Sequence, residues 1–93
     1  MVKHIVLYTL KEGVEKKEAV ALIESVLLPL VGKIAGLRHL EVKQAFNGMD
    51  YALYSEFDSP EALAAYQKHP LHLAAKETFH HLISTRFCAD YEY

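Results

Sequence analysis

The stretch that most constrains the fold is the first patterned one, Val2 to Leu10. In a strand, alternate residues point to opposite faces. One face then carries Val2, His4, Val6, Tyr8 and Leu10, and the other Lys3, Ile5, Leu7 and Thr9. The middles of both faces are apolar, which predicts a strand buried on both sides. Such a strand sits inside a sheet that is covered above and below.

The rest of the chain supplies the cover. Lys11-Glu12-Gly13 turns the chain, and Val14 to Val31 reads as a helix. Val20, Ile23, Leu27, Leu30, Val31 and Ile34 recur at helical spacing, and Glu15 to Glu18 and Glu24 form the wet face. Pro29 lacks an N–H, so a kink or break is expected near Val26 to Leu28. Leu37 to Phe46 is a loosely alternating strand, with Leu40, Val42 and Phe46 set against Leu37, His39, Glu41 and Lys43. Asn47-Gly48 is a strong hairpin signal. It leads to a partner strand, Tyr51 to Phe57. Asp58-Ser59-Pro60-Glu61 combines a capping side chain, Pro at the first helical position and an acid in the first turn. His69-Pro70 breaks this second helix, because a residue before Pro avoids helical geometry. A third helix then runs from Leu71 to about His81, and Leu82 to Tyr93 alternates as a last strand.

The order β-α-β-β-α-β, with its second helix split, is a ferredoxin-like α+β arrangement. It predicts one four-stranded antiparallel sheet with helices on one face. The other face is assigned Ile5, Leu7, Leu40, Val42, Ala52 and Tyr54, and an open apolar face of that size calls for cover. A second copy across a two-fold axis provides it, so a homodimer is expected.

The 93 residues amount to a single small domain spanning 1–93. A net charge of −2 argues against nucleic acid as a partner. The longest apolar run, Val26 to Val31, is far short of the roughly 20 residues a membrane span requires. No leader pattern opens the chain, so a cytoplasmic setting is expected. The one cysteine, Cys88, excludes an internal disulfide and a multi-cysteine zinc site.

Four stretches resemble the stress-responsive α/β-barrel (Dabb) family. They are Val2-Lys3-His4-Ile5-Val6-Leu7; Asp50 to Leu53 with Phe57 to Leu63 and Tyr66; His69-Pro70-Leu71-His72; and Asp90-Tyr91-Glu92. Ala35 departs from the family's frequent Pro before Gly36. The resemblance implies a dimer whose sheets pack into a barrel. It implies no single activity. Some members are stress-associated oligomers without an assigned reaction, and one plant member closes a linear polyketide by aldol condensation without a cofactor. The histidine matching His72 is that enzyme's base, and those matching Tyr66 and His4 share its cavity.

The residues themselves leave alternatives open. His72 follows Pro70 at the positive end of a helix, which favours a neutral ring able to accept a proton from carbon; it also suits a backbone-bonded structural histidine. Tyr66 is either a donor to an enolate oxygen or, with Leu63 at i, i+3, part of an apolar stripe. His4 is a cavity residue or a satisfied core histidine. His69, His72, His80 and His81 invite a metal reading, but Pro70 separates the first pair and no acid completes a site. No metal and no cofactor is therefore expected. The functional expectation is a small-molecule-binding or proton-transferring protein. The alternatives are a non-catalytic stress-associated oligomer and a cofactor-free monooxygenase-like protein.

Overall fold

A computed structural model describes residues 1–93. Strand β1 (Val2–Leu10) leads to helix α1 (Lys16–Leu27), a 3-10 turn (Leu28–Leu30), β2 (Leu37–Gln44) and β3 (Tyr51–Phe57). Helices α2 (Pro60–Lys68) and α3 (Pro70–Phe79), a second 3-10 turn (His80–Leu82) and β4 (Ile83–Glu92) complete the chain. The sheet order is β2-β3-β1-β4, and every neighbouring pair is antiparallel. The expected α+β architecture is present. No helix is long and apolar enough to cross a membrane.

Local chemistry sets the element ends. The Glu15 carboxylate accepts from the Glu18 amide and caps α1 two residues later than the apolar pattern begins. The helix becomes 3-10 at Leu28, where Pro29 has no N–H to continue the α ladder. Ser59 Oγ accepts from the Ala62 amide at 3.1 Å with Pro60 as the first helical residue. His69 is held extended (φ −66°, ψ 135°) ahead of Pro70, and its ring accepts from the Leu71 amide. One residue thus ends α2 and caps α3, which turns the broken helix through a corner.

The helix-covered side of the sheet holds the core: Val2, Val6, Tyr8 and Leu10 of β1, Tyr51, Leu53 and Phe57 of β3, and Ile23 and Leu27 of α1. Gly36 lets α2 approach closely. Its φ is +86°, and a Cβ there would lie 2.6 Å from Ala62 Cβ.

Strand β2 departs from the simple alternation. Leu37 pairs with Phe57 but His39 pairs with Glu56, so Arg38 is an extra residue in the ladder. The bulge reverses the parity, and Leu37, Leu40 and Val42 all point into the core at 4, 4 and 1% exposure. Leu40 and Val42 therefore do not belong to the open face, and Leu37 does not oppose them. The apolar part of that face comes instead from β1, β3 and β4. Ile5 lies between Tyr54 and Ala89, and Leu7 between Ala52 and Phe87. Leu7, Phe87 and Tyr91 are 39, 61 and 48% exposed. Within one chain, β1 is thus covered on one side only.

Candidate functional site

The sheet and helices leave a cavity of about 280 Å³. Strand β1 presents His4 and Tyr8 to it, α2 presents Tyr66 and Gln67, α3 presents His72, Lys76 and Phe79, and β4 presents Ile83 and Arg86; Leu27 and Leu53 complete the lining. The spacing explains the set. His4 and Tyr8 share a strand face, and His72, Lys76 and Phe79 share a helix face at i, i+4 and i+7. Arg86 lies directly across the ladder from Tyr8. All three residues expected at a site, His4, Tyr66 and His72, line this one cavity.

His4 is nearly buried, at 4% exposure, and its Nδ1 hydrogen-bonds the Asp90 carboxylate opposite it in the β1–β4 ladder. A carboxylate partner assigns the proton of the neutral ring to Nδ1 and leaves Nε2 as the lone-pair nitrogen. The ring also meets Phe57 edge-on, with centroids 6.3 Å apart.

Tyr66 is 2% exposed. Its ring packs at 5.0 Å on Phe57 and at 4.2 Å on the His72 imidazole. Burial raises the pKa of its phenol, which therefore stays a donor at neutral pH. His72 is half-buried, and its Nδ1 is buried without a hydrogen-bond partner. Its pKa is lowered, first by burial and then by the nearby charges of Lys76, His4 and Arg86; the Gln67 backbone opposes this without making a well-formed bond to Nδ1. The start of α3 is expected to keep His72 neutral, and burial heads the causes that lower its pKa.

The other histidines play different parts. His69 spends its Nδ1 capping α3. His80 and His81 are exposed on the second 3-10 turn. The group whose donors could hold a metal is a different one: His4 Nδ1, Cys88 Sγ and the Asp90 carboxylate, all within 4.8 Å of one another. These donor types suit zinc. Burial and the neighbouring Asp90 both raise the Cys88 pKa, which keeps the proton on sulfur unless a metal displaces it. The thiol lies 3.5 Å from Asp90 Oδ1 as a donor, and the geometry is that of a hydrogen-bonded trio.

Asp90, Arg86 and Lys76 are site residues that pattern reading misses. The α3 spacing could have flagged Lys76. Asp90 and Arg86 depend on the β1–β4 register, which links residues more than 75 positions apart and leaves no local mark.

Residues 2–93 match the stress responsive A/B barrel domain family. An uncharacterized protein of Streptomyces coelicolor is 32% identical, with both chains covered in full. A dimeric protein of ferredoxin-like fold from Bacteroides fragilis is 35% identical with a TM-score of 0.88, over 99% of this chain and 95% of that one. A putative antibiotic biosynthesis monooxygenase from Nitrosomonas europaea shares the fold alone, at 18% identity and a TM-score of 0.81 over 100% of this chain and 98% of the other.

Proposed function

The chain belongs to the stress responsive A/B barrel domain family, and on that premise we propose a homodimer in which each subunit's cavity binds a small carbonyl compound and moves a proton on it without a cofactor. His72 is the base. The observation that carries this reading is the pairing of a half-buried imidazole, its pKa held low by burial, with a buried, protonated phenol against its ring.

The step is simple to balance. The His72 lone pair takes a proton from a carbon next to a carbonyl, and the C–H electrons pass into an enolate. The Tyr66 O–H donates a hydrogen bond to the enolate oxygen, where negative charge develops. The proton returns from His72 to carbon, or to oxygen after a ring closure. His4, oriented by Asp90, offers Nε2 as a second polar contact. A base near neutrality suits this work, because it must be unprotonated and still able to release what it takes. The cavity is open rather than filled by side chains, which favours this reading over that of a non-catalytic oligomer.

The homodimer is formed through the open sheet face. The Bacteroides fragilis relative is dimeric, and the face carries Ile5, Leu7, Phe87 and Tyr91 with no cover of its own. A standard interface takes about 800 Å² from each partner, which one sheet face can supply.

Proton exchange tests the chemistry before any natural substrate is known. 2-Tetralone in deuterated buffer should exchange its α-protons faster with the protein than without it. His72→Ala should remove about 10²–10⁴-fold of the added rate, and Tyr66→Phe a smaller share. No acceleration by the wild type, or full acceleration by His72→Ala, would refute the reading.

A further inference from the structure

Resting on the reading of the cavity as a ligand site, we infer that it selects an apolar molecule bearing a carboxylate, which is held at the mouth between Arg86 and Lys76. The lining holds these two permanent cations and not one aspartate or glutamate. Two of the chain's ten lysines and arginines are ion-paired, Lys16 with Asp50 at 2.8 Å and Arg38 with Asp58 at 2.6 Å. Arg86 and Lys76 take part in no ion pair. Two cations with no acid among the lining residues make this opening locally positive in a chain whose net charge is −2.

The placement is as informative as the count. Arg86 comes from β4 and Lys76 from α3, so they approach the cavity from its two layers. Both exposed side chains keep contact with water, and a bound anion would meet them without a large desolvation cost. Both also act electrostatically on His72, which puts the charged mouth within range of the base. Behind them the wall is apolar and aromatic, with Leu27, Leu53 and Phe79. A guanidinium takes a carboxylate through two parallel N–H donors, and the ammonium adds a point charge from the other side. An anchored anion would place a carbonyl deeper in the same molecule beside Tyr66 and His72. It would also discriminate against uncharged analogues that fill the same space.

Binding of 1-naphthoate and 1-naphthamide, followed by calorimetry at neutral pH, tests this. The two share one apolar body and differ in charge. Naphthoate should bind about tenfold or more tightly. The preference should shrink in high salt, since the cations are exposed. It should fall to within about threefold in the Arg86→Gln, Lys76→Gln double variant and survive in Arg86→Lys, which keeps the charge. Equal binding of the two probes, binding of neither, or a preference that persists in the double variant overturns the inference. Tetralone exchange keeps the two proposals separate. Wild-type exchange without a naphthoate preference overturns anion selection alone, and a naphthoate preference without exchange overturns proton transfer alone.

Discussion

Replacing Tyr51 by Phe should stabilise the protein. The Tyr51 side chain is fully buried, and its hydroxyl has no hydrogen-bond partner. Its ring stacks on Tyr8, with centroids 4.6 Å apart and planes 12° apart, and that stacking does not need the oxygen. Burial also drives the phenol pKa upward, so the group stays a neutral, unpaired donor at every ordinary pH. An orphaned buried polar group costs about 1–3 kcal/mol. Deleting one oxygen leaves a void of about 10 Å³, which at about 24 cal/mol per Å³ returns only about 0.2 kcal/mol. The net gain is therefore about 1–3 kcal/mol. For a domain of this size each kcal/mol moves Tm by about 4–8 °C, so Tyr51→Phe should melt visibly higher. Wild type and variant must be compared at one protein concentration, because dimerisation makes Tm concentration-dependent. A lower Tm for Tyr51→Phe would refute the reasoning and show that the hydroxyl is satisfied in solution.

Two further outcomes follow from the site and the open face. An NMR titration of His72 should give a midpoint below the usual 6.5. Because folding disfavours its protonation, the stability His72 contributes is intact above pH 6.5 and lost as pH falls from there through its folded pKa; His72→Gln should flatten that part of the Tm–pH curve, and a midpoint above 6.5 would contradict the burial argument. Phe87→Asp, on the open face, should give a folded monomer by sedimentation, whereas Val42→Asp, in the core, should unfold the chain; a folded, dimeric Phe87→Asp protein would place the interface elsewhere.

The element order was legible because its punctuation is chemical. Pro29, Ser59-Pro60, His69-Pro70 and Asn47-Gly48 each constrain the backbone by themselves, and each marks a boundary or turn in the structure. The faces of β2 were not legible. A single inserted residue, Arg38, inverts which side chains point inward, and nothing at that position announces a bulge. The site divided in the same way. His4, Tyr66 and His72 could be named from motifs, whereas Arg86 stands in none and Asp90 stands in the Asp90-Tyr91-Glu92 stretch with no role attached. Those two join through pairing between the first and last strands, and two strands distant in sequence carry no written register.

That pairing has a consequence for how the molecule is made. β1 is a central strand, yet one of its two neighbours is β4, the fourth of the sheet's strands in chain order, and the Tyr93 amide bonds the Met1 carbonyl. Until Ile83–Glu92 exists, the growing chain carries a long, apolar β1 with one bare edge, the kind of template that recruits other chains. The same ten residues bring Arg86 and Asp90. A nascent polypeptide stalled or clipped short of them is therefore at once the form most prone to aggregate and a form whose site lacks the Arg86 cation and the carboxylate that orients His4.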